Sequence, residues 1–349
     1  MKNIVVVGAT GAVGREVVDC LQKLEFPVGK LRLVASERSA GKMVSTPWGD
    51  VTLEVISEEV FAESDIAIFA AGGDLSKEWR EKVVAGGCLM IDNSSAFRYD
   101  DDVPLIVPGV NTEAAFAHNG VIANPNCTTA IAAMALWPLH KKFGLKKVIV
   151  STYQATSGAG AEGMEELVVQ TREVLEKCGE DSMKLAAFKV REHSEVVAQP
   201  KVFAHQIAFN LIPQIDSFQE NGYTKEEMKV TWETRKIFGV PELAVSCTAV
   251  RIPTLRAHSE SIVIETAQPI SAEEARQILQ DAEGVEVVDE PSAGRYPMPM
   301  NASYKYDVEV GRIRQNLVFG EHGLELFVSG DQLLRGAALN AVEIAKLFV

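Results

Sequence analysis

Residues 123–130 read ANPNCTTA. Pro125 and Asn126 break a strand, and Thr128 and Thr129 open an apolar, alanine-rich run, so Cys127 sits where a helix begins. A thiol there meets the positive end of the helix dipole and free backbone N–H groups. That predicts a pKa below the free value of about 8.5 and a larger share of thiolate. The same N–H groups can form an oxyanion hole when sulfur attacks a carbonyl. From these residues alone an inert, buried cysteine fits the placement equally well. Cys20, Cys88, Cys178 and Cys247 fall in helical or strand runs where packing accounts for them. No C-x-x-C pair occurs, so neither a disulfide framework nor a zinc cluster is expected.

Gly8, Gly11 and Gly14 form G-x-x-G-x-x-G between a β-branched run and an amphipathic stretch. In a strand–turn–helix setting such glycines let the backbone approach a pyrophosphate at the helix N-terminus. The spacing differs from G-x-G-x-x-G, and a tight turn without a ligand is the alternative. After the second strand, ASERSAGK offers Ser36, Arg38 and Ser39 to a 2′-phosphate, which favours NADP, while Glu37 is the acid an NAD site would use.

These residues need a frame. Lys2–Val7, KLRLVAS, DIAIFAAGG, CLMIDNSS and GVIANPN read as strands. Helical patterns follow the glycine turn and cover LSKEWREKVVAGG. Such alternation predicts a parallel sheet with helices on both faces. Pro138 predicts a kink or an end in the helix after Cys127. Further on, Val148–Gln154, Ala244–Arg251, Ser261–Thr266 and Leu324–Ser329 alternate as strands. Helical patterns occur at Glu165–Lys177, Lys225–Lys236 and Ala272–Ala282. A mixed or antiparallel sheet with helices on one face suits them. The 349 residues suffice for two domains with their own cores. The formal net charge of −14 disfavours nucleic acid and anionic membranes as partners. No run approaches the roughly 18 apolar residues of a membrane span, and the opening residues lack a signal-peptide pattern, so a soluble, cytoplasmic protein is expected.

NPNCTT, with the glycine turn before it and YQATSGAG, QIAFNLIPQID, EEMK, VRIPTLRAHSE and GAALNAVEIA after it, resembles the bacterial, NADP-dependent aspartate-β-semialdehyde dehydrogenase family over nearly the whole chain. Asn126 fits that family better than the serine of glyceraldehyde-3-phosphate dehydrogenase or the glycine of N-acetylglutamyl-phosphate reductase. The resemblance implies an α/β protein: a Rossmann-like dinucleotide-binding domain (1–126 plus 328–349) and an α+β catalytic and dimerisation domain with a mixed sheet (127–327). It further implies a homodimer, or a tetramer, and no metal.

The implied reaction interconverts L-aspartate 4-semialdehyde and L-4-aspartyl phosphate with NADP and phosphate. It runs reductively in the cell, toward lysine and diaminopimelate, threonine, methionine and isoleucine. By the same resemblance Cys127 is the nucleophile, His258 the acid/base that takes the hemithioacetal proton, and Gln154 orients the intermediate. Arg251 holds the substrate α-carboxylate and Glu226 its ammonium. Arg98, Lys229 and Asn126 contact phosphate. Gly8, Thr10, Gly11, Ala12, Val13, Ser36, Arg38, Ser39 and Gly158 contact the cofactor, and Gly160, like Gly158, would let the backbone near the nicotinamide. Two alternatives stand beside this reading: another acyl-phosphate reductase of the N-acetylglutamyl-phosphate type, and a nucleotide-binding protein without catalysis.

Overall fold

The computed structural model describes residues 1–179, 181, 183, 185 and 199–349. Strand β1 (Lys2–Val7) shows why the first sheet forms: it is β-branched throughout its second half and buried on both faces there. Ile4 and Val6 face one helix layer, with Val17 and Leu21 of helix α1 (Ala12–Lys23). Val5 and Val7 face the other, with Phe61 of α2 (Glu58–Ala62) and Trp79 and Val83 of α3 (Gly73–Ala85). The remaining strands of the sheet are β2 (Val28–Val34), β3 (Met43–Thr46), β4 (Gly49–Glu54), β5 (Ile66–Phe69), β6 (Leu89–Asp92) and β7 (Val121–Ala123). Their order is β3-β4-β2-β1-β5-β6-β7. All pairings are parallel except the β3–β4 edge hairpin, which is largely exposed and follows no strong apolar pattern. The winding reverses beside β1, and ligands of such sheets sit at the carboxyl ends of the strands near that point. The glycine turn lies there. Gly8 has φ +84°, and a Cβ on it would overlap the carbonyl of Ala70; one on Gly14 would overlap the carbonyl of Gly8. These two glycines serve the packing of the turn itself, while Gly11 is exposed at the cap of α1.

The second sheet has the order β11-β12-β13-β10-β8-β9. It comprises β8 (Leu145–Gln154), β9 (Ala244–Arg251), β10 (His258–Thr266), β11 (Val285–Val287), β12 (Val308–Gln315) and β13 (Gly323–Gly330). Parallel and antiparallel pairings mix, as expected from the alternating runs. One face is packed by α4 (Cys127–Phe143), α6 (Lys225–Phe238) and α7 (Ala272–Gln280); α5 (Gly160–Cys178) lies between β8 and α6 in the chain. The other face leaves Ile149 and Tyr153 exposed, with Phe327 beside Tyr153. Pro138 does not end its helix: α4 runs through it to Phe143, because the buried apolar residues on both sides of Pro138 hold the two segments in one core. After the one-turn α8 (Pro299–Ala302), the chain crosses β12 and β13, passes through a π-helical stretch (Leu334–Ala338) and ends in α9 (Leu339–Lys346). Leu339 and Val342 join Ile4 and Leu21 in the core of the first sheet. Among the described residues no helix is long and apolar enough to cross a membrane, and no cluster of three or more His, Cys, Asp or Glu could hold a metal ion.

Candidate active site

Asn126 caps α4, its Oδ1 accepting from the N–H groups of Thr128 (3.0 Å) and Thr129 (3.3 Å). Cys127 is therefore the first helical residue, as its position in ANPNCTTA predicted. It is partly exposed on the wall of a cavity of about 430 Å3. Gly336, in the π-helical stretch, lies against it: a Cβ there would sit 2.6 Å from the Cys127 Cβ. The expectation of a lowered pKa is overturned. Burial, and then the Glu226 carboxylate, push the Cys127 thiol up to about 12, against Arg251, Arg98 and the Thr128 N–H. The dipole of one helix end does not offset the loss of water plus a nearby anion.

Sheet register brings the other groups to Cys127. Gln154 and Arg251 are paired residues at the ends of parallel β8 and β9. His258 opens antiparallel β10, whose Ser259 pairs with Tyr153. One edge of the sheet thus carries all three, and all are buried. Helix α6 contributes Glu226 and Lys229 three residues apart on one face. Glu226 Oε1 accepts from Asn126 Nδ2 (2.8 Å) and Gln154 Nε2 (3.2 Å), and Oε2 meets Lys229 Nζ at 3.0 Å. Burial opposes the ionisation of Glu226, but Lys229 and these amides prevail and hold its carboxyl below the ordinary range. Asn126, expected at phosphate, lines the cavity while bonding the helix start and Glu226.

Three cations line the cavity, and they differ. Lys229 is tied to Glu226 and to Asp216, each at 3.0 Å. Arg98 does not pair with the acidic run at 100–102, where Arg80 holds Asp100 and Asp102. Arg98 is buried and reaches Glu233 (3.0 Å) and the carbonyls of Asn124 and Asn93 (2.8 Å each). Among the described residues the Arg251 guanidinium gives one hydrogen bond, from Nη1 to the Ala155 carbonyl at 2.6 Å. Among the described residues it has no ion-pair partner. Burial lowers its pKa, so an anion entering the cavity gains most there.

Glu233 and Lys236 were not anticipated. Glu233 is fully buried and accepts from Arg98, Tyr99 and the Asn126 N–H (2.5 Å). Burial pushes its carboxyl up against the pull of Arg98. Lys236 Nζ donates to the carbonyls of Arg98, Asp100 and Val103. With Glu226 and Lys229 they form a charged stripe spaced 3, 4 and 3 along α6, where an amphipathic helix would turn apolar residues inward. That spacing was readable in EEMKVTWETRK.

The ring of His258 touches protein at both nitrogens. Nδ1 accepts from the Ala155 N–H at 3.1 Å, and Nε2 lies 3.5 Å from Gln154 Nε2. A neutral imidazole that accepts at Nδ1 carries its proton on Nε2. Burial, with the Arg251 charge second, pushes its pKa down to about 3. As the ring stands, neutral and with Nδ1 accepting from Ala155, it can donate from Nε2. Gly158 lies against both groups: a Cβ there would be 2.7 Å from Arg251 Nη1 and 3.3 Å from His258 Nε2.

At the carboxyl edge of the first sheet, a separate cavity of about 590 Å3 is lined by Gly8, Thr10, Gly11, Ser36 and Glu37. The N-terminus of α1 has no side-chain cap and no acidic residue in its first turn, so its N–H groups are free for an anion. Val13 reaches the wall of the Cys127 cavity, and Ala12 lies beside it at the start of α1. Arg38 and Ser39 follow Ser36 in a turn in which the Ser39 N–H donates to the Ser36 carbonyl. A nicotinamide dinucleotide fits: a bare helix end for its phosphates, and one helix turn linking that cavity to the thiol.

Residues 3–118 match the family described as "Semialdehyde dehydrogenase, NAD binding domain", and residues 136–335 match "Semialdehyde dehydrogenase, dimerisation domain". The aspartate-semialdehyde dehydrogenase of Aquifex aeolicus is 48% identical over 99% of this chain and 98% of its own length. That of Bacillus subtilis is 45% identical over 99% and 96%. The crystal structure of Vibrio cholerae aspartate semialdehyde dehydrogenase II complexed with ASA is 40% identical and superposes with a TM-score of 0.90 over 99% of this chain and 98% of that one. On this similarity and the shared fold, the chain belongs to the aspartate-semialdehyde dehydrogenase family.

Proposed function

We propose that the protein interconverts L-aspartate 4-semialdehyde and L-4-aspartyl phosphate, with NADP and phosphate, through a thioester on Cys127. The observation that carries this reading is Arg251: a buried guanidinium without an ion pair among the described residues, in a cavity whose wall also holds Cys127 and Glu226. A planar guanidinium suits a carboxylate bidentately. Glu226, held ionised, suits the ammonium of the same amino acid. Bound NADP would lie along Gly8, Thr10, Gly11, Ala12 and Val13, with Ser36, Arg38 and Ser39 at its 2′-phosphate and Gly158 near the nicotinamide, and would supply hydride exchange.

In the reductive direction, the Cys127 sulfur attacks the acyl carbon, and the displaced phosphate leaves beside Arg98 and Lys229 carrying the thiol proton. Hydride, which a bound dinucleotide in its reduced form would supply, would make the thioester oxygen an oxyanion. The Nε2–H of His258 donates to that oxygen, and its collapse re-forms C=O and releases the Cys127 thiolate. A neutral imidazole can stabilise an oxyanion without transferring its proton. Gln154 and Asn126 position Glu226. The exposed Ile149 and Tyr153 on the open face of the second sheet support a homodimer that buries that face. The place in the cell is the cytoplasm, on the route to lysine and diaminopimelate, threonine, methionine and isoleucine.

The test is phosphate-dependent NADP reduction with aspartate semialdehyde, compared with N-acetylglutamate semialdehyde and with NAD. No turnover of the first substrate, or preference for the second, refutes the substrate; equal use of NAD refutes the cofactor choice. Cys127→Ser should bind NADP and lose nearly all activity.

A further inference from the structure

Residues 252–257 join Arg251 to His258 and touch neither cavity. Their backbone nevertheless holds the turn Thr156–Ala159 that follows Gln154. The carbonyl of Thr254 accepts from the Thr156 N–H (2.8 Å), and that of Leu255 from the Ser157 N–H (3.2 Å). Gln332 Oε1 accepts from the Ala257 N–H (2.8 Å), and Gln332 Nε2 donates to Ser157 Oγ. Ala257, immediately before His258, adopts φ +66°. A residue with a Cβ keeps that conformation only where its surroundings impose it.

The side chain of Arg256, the residue before Ala257, is held by three partners. Nε bonds Asp331 Oδ2 at 2.6 Å, Nη1 bonds Glu16 Oε1 at 2.5 Å, and the guanidinium lies 3.9 Å from the centre of the Tyr304 ring. Asp331 is fully buried, and its Oδ1 accepts from the Leu333 and Leu334 N–H groups ahead of the π-helical stretch that carries Gly336. Glu16 belongs to α1, about one turn from the exposed helix end at Gly11. One guanidinium therefore bridges the helix that would hold the cofactor phosphates, the loop that presents His258 and the segment packed on Cys127. Its ion pairs are only slightly exposed, with 13% of the Arg256 side chain and 15% of the Glu16 side chain accessible, so solvent screens them weakly.

We propose that Arg256 is a positioning residue that, through Glu16, couples the seating of the dinucleotide on α1 to the placement of His258. The coupling rests on the functional reading above. The test uses the full-length protein, Glu16→Gln, Arg256→Lys and the double variant. Glu16→Gln keeps shape and removes only the charge. It should lower kcat by about fivefold or more with the NADP KM shifted by less than about twofold, a split that a general loss of fold would not produce. The double variant should be no slower than Arg256→Lys, since both break one link. A second readout needs no turnover: amide hydrogen exchange of the 252–258 peptide, with and without saturating NADP. NADP should slow it in the wild type and not in Glu16→Gln. An NADP effect that survives Glu16→Gln, no NADP effect in the wild type, or additive rate losses overturn the coupling. A wild type that shows the exchange effect but does not turn over aspartate semialdehyde refutes the substrate assignment alone.

Discussion

Gly336→Ala tests the geometry around the nucleophile with a single methyl group. Gly336 does not need glycine's backbone freedom, since its φ lies outside the left-handed region; what it lacks is room. The added Cβ would stand 2.6 Å from the Cys127 Cβ and 2.9 Å from its Cα. Carbon atoms rest at about 3.5–4.0 Å, so the two must part by roughly 1 Å. Cys127 cannot yield freely, because Asn126 fixes the first turn of α4 through Thr128 and Thr129. Overpacking of this kind costs about 1–3 kcal/mol, so the protein should still fold, and denaturant melts would measure the loss. The rate should suffer more: a displacement of about 1 Å at a reacting group lowers turnover about 100-fold. Steady-state kcat with aspartate semialdehyde, phosphate and NADP measures it, with NADP binding as the control for an intact first sheet. A Gly336→Ala protein with kcat within about twofold of wild type would refute the claim that this contact sets the position of Cys127.

Other consequences are open to measurement. With the Cys127 thiol pushed up to about 12 and only the thiolate reactive, its alkylation by iodoacetamide in the unliganded protein should keep rising with pH beyond 9; a plateau near 8.5 would contradict the buried, Glu226-facing thiol. His258 is neutral and donating, its pKa pushed down to about 3, so kcat should show no limb near the ordinary histidine value of about 6.5. Such a limb, lost in His258→Asn, would restore the acid/base role. Arg251→Lys keeps the charge and loses the fork, and should raise the semialdehyde KM by about tenfold or more with a smaller change for phosphate. Asn126→Ala removes the cap of α4 and should lower unfolding free energy by about 1 kcal/mol or more in denaturant melts.

Period-2 and period-3.6 patterns located the central strands and the long helices, because buried elements must show one apolar face. The β3–β4 hairpin escaped because its residues are mostly exposed and obey no such constraint. Pro138 does not end α4 for the opposite reason: the proline rule is local, and the core on both sides of α4 carries the helix across it. The same divide runs through the site. A helix-start cysteine, a glycine turn and the motifs of the resemblance were visible along the chain. The meeting of Gln154, Arg251 and His258 depends on strand register, which no single segment contains. The pKa of Cys127 had the wrong sign because the helix dipole is a local feature, whereas burial and Glu226 arrive from tertiary structure. Glu233 and Lys236 were legible in principle, as charges at helical spacing on a face that ought to be apolar.

That charged stripe has a consequence for changes in chain length. Each residue turns an α-helix by about 100°. One residue inserted between Lys229 and Glu233 would leave Glu226 and Lys229 facing the cavity. It would swing Glu233 and Lys236 about 100° away from Arg98 and the loop carbonyls they hold. An insertion of four residues, with about 40° of net rotation, would bring the stripe nearer to alignment than an insertion of one or two. Activity across a series of insertions should therefore vary with helical phase rather than fall steadily with length, and frame-preserving insertions and deletions, more than most substitutions, are what this helix should tolerate least.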